Sequence, residues 1–313
     1  MKIRTKIVLF FNKSYYYKKL AYLYQKWSVE RNPIKEISRN YELRFHKKPD
    51  LDSPQNLIEK IYWMQLHCDT SKWTLCADKY RMRSYVTECG FENYLPKLYG
   101  VWEDPEDIKW DQLPSQMVIK ANNGCATVLV IKDKSAYDEK KLKKELNRWL
   151  SIPYGYRAYQ PHYLSIKPCI LAEELLEQGP ELNEISSSIV DFKTWCFNGR
   201  VECFFITYNR KGSRHSVDLY DANWNKMKEH LNFNGAFDYQ ETLFPKPSCL
   251  EEMKMIASRL SKGFPEMRVD FYVINGKPVI GELTLSAGYG NLTEEYYNHL
   301  GSLTDVTLLQ QVK

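Results

Sequence analysis

The amino-acid sequence predicts an α+β fold, and three observations carry that expectation. Two segments, DFKTWCF-NG-RVECFFITY (191–208) and RVDFYVI-NG-KPVIGELTL (268–285), place Asn-Gly between runs rich in branched and aromatic residues, the strongest short-range hairpin signal. Charged segments at 14–30, 54–68, 136–150 and 249–262 read as helices. Strands and helices are interspersed, with largely antiparallel connections, which argues against a repeating βαβ unit.

Taken in order, the two helices at 14–30 and 54–68 are followed by Asp78, a plausible N-cap for a helix to Cys89 that stops at Gly90. A strand at 95–102 leads into EDPEDIKWDQLP (103–114), read as an acidic surface loop. MVIKA (117–121) and ATVLVI (126–131) are too short and too branched for helices. Between them stand Asn122, Asn123 and Gly124, residues that tolerate positive φ. That stretch has two readings: an ordinary hairpin turn, or a loop whose N–H groups cover a phosphate that Lys120 also reaches. KPCILAEELLE (167–177) reads as a strand running into a turn, and helix 249–262 ends at Gly263 and Pro265.

Composition narrows the class. A 313-residue chain with 43% hydrophobic and 27% charged residues suits a soluble globular protein of one to three lobes. The apolar run IVLFF (7–11) is too short for a signal-peptide core, so a cytoplasmic chain is expected. Eight cysteines without a C-x-x-C pair argue for reduced, mostly buried thiols. Six histidines form no ligand cluster. The first 50 residues hold 13 Lys and Arg against four Asp and Glu, a local +9, so a chain of net +5 carries −4 elsewhere. Tyrosines and Trp27 interleave with this charge, as on a solvated helix face or on a helix lying at an anionic membrane surface. No nucleic-acid-binding motif accompanies it.

The expected strands carry charges at alternate positions. Glu173 and Glu174 end one strand; Asp191 and Lys193 share a face, as do Arg268 and Asp270, and Glu282 and Thr284. Charge in an apolar strand is costly unless it is paired or binds an ion. Each pair alone reads as a buried salt bridge. Together with Lys120 they read as oxygen ligands for Mg²⁺ beside cations for phosphate.

The ordered set VIKANNG, ILAEELLE, DFKTWCFNGR and RVDFYVINGKPVIGELTLSAGYG resembles the ATP-grasp superfamily, and within it the TupA-like group associated with teichuronopeptide and other bacterial polysaccharide biosynthesis. The resemblance runs from about Asp78 to Gly301 and leaves residues 1–65 outside. It implies a nucleotide held between two α+β lobes, preceded by a basic helical extension: 1–66 N-terminal region, 67–115 pre-grasp segment, 116–184 small lobe, 185–313 large lobe with the metal site. By the same resemblance, Lys120 and the loop Asn122, Asn123, Gly124 contact phosphates, with Lys79 a weaker phosphate contact. Glu173 and Asp191 belong to the same nucleotide site. Glu174, Leu175 and Leu176 form the adenine hinge, and Glu181 binds ribose. Lys193 points at the phosphates, Arg268 stabilises the transferring γ-phosphoryl group, and Asp270, Glu282 and Thr284 hold Mg²⁺. Glu282-Leu283-Thr284 stands where many ATP-grasp enzymes have E-x-N, and 286–290 lacks the proline usual in that turn.

The implied activity is an ATP- and Mg²⁺-dependent carboxylate–amine ligase in cell-envelope polysaccharide or capsule biosynthesis. Its acceptor would be a carboxylate-bearing sugar or peptide and its co-substrate an amine. The expected location is cytoplasmic, peripheral at the inner face of the membrane and near lipid-linked polysaccharide. A sugar or polysaccharide kinase on the same fold needs the same residues and stays open, as does a glycosyltransferase, which would bind nucleotide-sugars and have no use for ATP. A nucleotide-binding module without catalysis fits less well with the intact Lys120, Arg268, Asp270 and Glu282 set.

Overall fold

The computed structural model describes residues 15–312 apart from 157, 213, 234–236, 240, 242 and 289; the IVLFF run lies outside the described residues. The expected α+β class holds: two antiparallel sheets are packed with helices.

Helix α1 (Tyr15–Arg31) buries only Val29 and leaves Tyr16, Leu20, Leu23, Tyr24 and Trp27 exposed. It leans on the rest of the chain through the Tyr15 hydroxyl, 3.0 Å from Ser151 Oγ, and through edge-on contact of Tyr22 with Tyr156. Helix α2 (Pro33–Phe45), absent from the sequence reading, starts where the Asn32 side chain accepts from Lys35 N and Pro33 fills the first turn. Helix α3 (Leu57–His67) opens on a capping box of Asn56 and Glu59. The two caps interlock, because Tyr41 of α2 donates to Glu59 and accepts from Asn56. Ile37, Tyr41, Leu57 and Ile61 enter the largest hydrophobic core of the chain, so α2 and α3 share a core with the second sheet.

Helix α4 (Ser71–Ala77) ends at Asp78, and α5 (Met82–Glu88) begins four residues later. Of the single helix expected from Asp78 to Cys89 only α5 forms, while α4 precedes Asp78 and was not expected. The Asp78 carboxylate accepts from Tyr80 N and Arg81 N in the turn between the two helices and does not cap α5. Gly90, at φ +89°, ends the segment as expected.

The first sheet has the order β1-β4-β2-β3, built from β1 (Leu98–Trp102), β2 (Met117–Ala121), β3 (Val128–Ile131) and, after helix α6 (Glu139–Leu150), β4 (Ile170–Glu173). Strand β1, from the 67–115 segment, pairs with β4. Met117, Ile119 and Ala121 face a second core with Leu142 and Leu146 of α6. The 103–114 stretch, expected as surface loop, corrects to two 3₁₀ turns that push Ile108 and Leu113 into this core, where their apolar side chains leave water.

After the short helix α7 (Pro180–Ile185), the second sheet has the order β7-β6-β5-β8-β9. Its strands are β5 (Asp191–Phe197), β6 (Arg200–Lys211), β7 (Arg214–Asp221), β8 (Met267–Ile274) and β9 (Lys277–Thr284), with α8 (Leu250–Ser261) packed on β5, β6 and β8. Both Asn-Gly hairpins form as expected. Asn198, Gly199, Asn275 and Gly276 all have positive φ, the condition for a two-residue turn that matches strand twist. Strand β7 and the C-terminal helix α9 (Glu294–Leu303) are absent from the sequence reading, although Thr293 caps α9 by accepting from Tyr296 N. Helix α9 packs on α3, where Lys60 Nζ donates to the carbonyls of Gly301 and Thr304.

Candidate active site

The alternate charges of the second sheet line up across three strands. Lys193 of β5 is the cross-strand partner of Asp270 on β8, and Asp270 is the partner of Glu282 on β9. Cross-strand partners project from the same face, so these three side chains form one row. The next row is Trp195, Arg268 and Thr284. A bulge follows immediately between Asp270 and Phe271.

The rows are knitted by ion pairs. Lys193 Nζ lies 2.5 Å from Asp191 Oδ2 and 2.6 Å from Asp270 Oδ2. Arg268 grips Asp270 bidentately at 2.7 and 2.8 Å, and its Nη2 donates to Thr284 Oγ1 at 3.2 Å. Arg210 adds a second cation to Asp191 at 3.0 Å. Burial alone would raise the Asp270 carboxyl, but the Arg268 and Lys193 charges outweigh it and hold it below its ordinary value. Burial likewise works against the Arg268 cation, and the charge and hydrogen bonds of Asp270 overcome it, so the guanidinium is held up.

The first sheet contributes from the other side. Lys120 and Val118 share a face of β2, and their β3 partners Val128 and Val130 are 54% and 47% exposed. The opposite face, with Met117 and Ile119, is fully buried. Lys120 therefore stands on the open face, where its Nζ meets Glu173 Oε2 at 2.5 Å. Arg83 of α5 holds the other oxygen of Glu173 at 3.3 Å.

Lys79 ties the two sheets together. Its Nζ donates to the Gly124 carbonyl, on the loop after β2, at 2.8 Å and to Glu282 Oε1 at 3.1 Å. Residues 122–127 separate β2 from β3, so this is a six-residue loop and not a tight turn. Gly124 sits at φ +125°, and a Cβ there would come within 3.0 Å of Tyr154. Asn122 is turned inward and completely buried: it donates to Asp78 and the Lys167 carbonyl and accepts from Cys169 N. Asn123 is buried too, and Cys125 is exposed.

Six cations (Lys79, Arg83, Lys120, Lys193, Arg210, Arg268) thus meet four carboxylates (Glu173, Asp191, Asp270, Glu282). The surplus of positive charge suits a polyanion. The remaining site residues lie at the margins. Glu174 accepts from Lys97 N, while Glu174, Leu175 and Leu176 line a cavity of about 630 Å³ closed by Asn275 and Lys277 of the β8–β9 turn. Glu181 is exposed in the first turn of α7.

Sequence reasoning missed Arg83, Arg210 and Glu266. Arg83 lies four residues after Lys79, a spacing that could have marked it. Arg210 required the β5–β6 pairing, which no local pattern reveals. Glu266 precedes Arg268 and Asp270 at the same alternate spacing. It is fully buried, accepts from Trp195 Nε1 at 2.8 Å, and its other oxygen has no partner among the described residues. Burial pushes its carboxyl up to about 7.

The donors fit a magnesium ion carried with a nucleotide. Asp270 and Glu282 are hard oxygen ligands set opposite one another, with the Thr284 hydroxyl in the adjacent row. Among the described residues no three His, Cys, Asp or Glu side chains gather into a metal site of their own. Such a set leaves the other coordination positions to phosphate oxygens and water, the usual mode for Mg²⁺.

The family model TupA-like ATPgrasp matches residues 59–304. Among solved structures, the chain is similar to D-alanine–D-alanine ligase from Bacillus anthracis complexed with ATP (13% identity, TM-score 0.44, covering 76% of this chain and 67% of that one). It is also similar to the ATP-grasp ligase PsnB complexed with a minimal precursor (14%, TM-score 0.40, 75% and 62%). An L-amino acid ligase from Bacillus licheniformis is similar at 15% identity and TM-score 0.38, covering 71% and 43%. The chain spans about two thirds or less of the length of these structures. No curated protein matches it. The likenesses to solved structures are distant; the family match, which covers most of the chain and every charged row described above, decides the assignment. The chain belongs to the TupA-like ATP-grasp family.

Proposed function

We propose that this ATP-grasp enzyme is a carboxylate–amine ligase, forming an amide through an acyl phosphate on a carboxylate-bearing sugar or peptide of a bacterial cell-surface polysaccharide. The observation that supports it is the row Lys193–Asp270–Glu282 with Arg268, which Lys79 joins to the loop that follows Lys120 on the other sheet. In the reaction, a carboxylate oxygen of the acceptor attacks the γ-phosphorus, the bond to the β–γ bridging oxygen breaks, and ADP leaves. The amine nitrogen then adds to the acyl carbon, the C–O bond to phosphate breaks, and a proton passes to solvent.

Lys120, Lys193 and Arg268 would hold phosphate oxygens and balance the charge that builds on the transferring group. Asp270 and Glu282, with Thr284, would hold Mg²⁺, which supplies Lewis-acid polarisation of the phosphoryl group. Glu174–Leu176 and the cavity beside them would take the adenine, and Glu181 the ribose. The loop would offer the backbone N–H groups of Asn123 and Gly124 to phosphate, since Asn122 is committed through its side chain to Asp78 and Cys169 and through its own N–H to the Cys169 carbonyl. In the same reading, α1 lies on the anionic inner face of a membrane near lipid-linked substrate: it joins Lys18, Lys19, Lys26 and Arg31 to the exposed Tyr16, Tyr24 and Trp27. No described helix is long and apolar enough to cross a membrane.

The test is a thermal-shift panel followed by product analysis. ATP·Mg²⁺ at about a hundredfold excess over its dissociation constant should stabilise the protein by about 3 kcal/mol. ADP and phosphate release should need both a carboxylate and an amine. Release that needs only a hydroxyl acceptor, with the phosphate retained on it, identifies a kinase. Stabilisation by UDP-sugars and not by ATP removes the ligase reading.

A further inference from the structure

A second cavity, of about 530 Å³, opens beside the charged rows on the side of the N-terminal helices. Helices α2 and α3 form one wall, and the loops carrying Cys125 and Ser286–Gly288 form the other. Cys125 directly follows Gly124, whose carbonyl holds Lys79, and Ser286 lies two residues beyond Thr284. The cavity therefore adjoins the phosphate end of the site.

Its lining is unusual in two respects. Arg44, itself solvent-exposed, is the single charged side chain lining it and forms no ion pair, in both cases among the described residues. Gln65, on α3, is 5% exposed, and neither its Oε1 nor its Nε2 has a hydrogen-bond partner among the described residues. A buried amide with both halves unmatched costs stability and recurs in native proteins where a ligand supplies the partners. Both amide atoms of Gln65 lie under the cavity wall, and a turn of the side chain would present a donor and an acceptor side by side, the complement of a peptide unit or N-acyl group. Arg44 offers a planar fork to a carboxylate. Ile58 and Ile61 supply an apolar wall, and the Ser286 hydroxyl, donating to Gln160 at 3.0 Å, closes the end nearest the rows.

We infer that this cavity is the acceptor site and that it selects a carboxylate-bearing amide, an N-acylated amino acid or peptide, through Arg44 and Gln65. The fate of that acceptor rests on the ligase reading, but its recognition does not. Arg44 lies ahead of the family match, so this specificity belongs to the N-terminal helices of this chain.

The test uses the full chain with ATP·Mg²⁺, an amine, and three probes: N-acetylalanine, propionate, which lacks the amide, and N-acetylalaninamide, which lacks the carboxylate. Half-saturating concentrations come from ADP release and, independently, from calorimetric binding without turnover. N-acetylalanine should bind best. Gln65→Leu should raise its half-saturating concentration about tenfold, the worth of one amide hydrogen-bond pair, and leave propionate and ATP unchanged. Arg44→Gln should weaken both carboxylates and leave ATP unchanged. The melting temperature of Gln65→Leu should hold or rise, because no internal hydrogen bond is lost. Binding of N-acetylalanine that either variant weakens, without ADP release, upholds the pocket and removes the ligase reading. ADP release from carboxylates that neither variant alters, or no binding of N-acetylalanine to the unaltered chain, overturns the inference.

Discussion

Asp270 and Glu282 stand directly opposite each other across the β8–β9 ladder, and each is already held by its own cation, Asp270 by Arg268 and Lys193, Glu282 by Lys79. Two facing carboxylates repel unless positive charge is shared between them. The cations do this in the chain as it stands, and the same cations are the groups a triphosphate would draw away. In the proposed reading, nucleotide binding would exchange protein–protein ion pairs for phosphate contacts and free the carboxylates for Mg²⁺.

Glu282→Gln should abolish turnover while ATP binding stays measurable, because Lys120 and the hinge are untouched. The ion pair with Lys79 is largely buried, but the glutamine amide oxygen can still accept from Lys79, so stability should fall by no more than about 1–2 kcal/mol. ADP release and a thermal-shift titration check both halves. Thr284→Val removes the acceptor of the Arg268 contact; an unchanged Mg²⁺ dependence would make this threonine a support for Arg268 and not a metal ligand.

Lys120→Ala and Lys193→Ala should each reduce the stabilisation by ATP·Mg²⁺ without unfolding the chain. Arg83 remains on Glu173 in the first case, and Arg210 and Arg268 remain on the two aspartates in the second. Lys193 serves two buried carboxylates, so its loss should also cost about 1–3 kcal/mol in the absence of nucleotide, read by urea denaturation.

Asn122→Ala should destabilise by about 2–4 kcal/mol in the same assay. The amide is fully buried and makes three side-chain hydrogen bonds that join the turn between α4 and α5, the β2 loop and the approach to β4. A loss under about 0.5 kcal/mol would show that this knot is not structural.

Glu266 binds its proton more tightly in the folded state, with a carboxyl raised from 4.5 to about 7 by burial. Between those values the folded state holds more protons than the unfolded one, so stability from this group is present below pH 4.5 and lost as pH rises through 7. The full swing is on the order of 3 kcal/mol. Glu266→Gln keeps the Trp195 contact and cannot ionise, so its advantage over the unaltered protein should grow from pH 5 to pH 8. His162 acts in the opposite sense: burial lowers it from 6.5 to about 3, and stability falls as pH drops through that interval. Both slopes are measurable by denaturation across pH, and the Glu266→Gln comparison isolates the first.

Vesicles containing anionic lipid should bind the chain at low salt and release it as salt rises, since each surface cation is worth about 1 kcal/mol and is screened. Lys18→Glu with Lys19→Glu, or Trp27→Ala, should weaken that binding. Deleting residues beyond Arg31 is a poor test, because Ile37 and Tyr41 of α2 lie in the main core. Equal binding to neutral vesicles, or none at low salt, would leave α1 as a brace on Ser151 and Tyr156.

The sequence by itself determined the hairpins, the helices α1, α3, α6 and α8 and the alternate charges of β5, β8 and β9. Each is a local matter: Asn-Gly sets its own turn, and a period of two puts Asp191 with Lys193 and Arg268 with Asp270 whatever lies elsewhere. Residues far apart in the chain were legible only where a motif order resembled a family. What the tertiary structure decided is which charges meet. Lys79 reaches Glu282 across 203 residues and Arg83 reaches Glu173 across 90, contacts that depend on how two sheets and a short helix pack. The same packing turned Asn122 inward, away from the expected phosphate loop, because Asp78, Lys167 and Cys169 converge there with donors and acceptors to match. Strand β7 had no local signal strong enough to mark it, since its form comes from pairing with β6, whereas α9 was missed although Thr293 caps it ahead of Glu294 and Glu295. Gln65 is the extreme case: on a helical pattern it is an ordinary polar residue, and only burial without a partner makes it a candidate for recognition. Side-chain spacing is written in the chain, but desolvation is a property of the neighbours that folding brings.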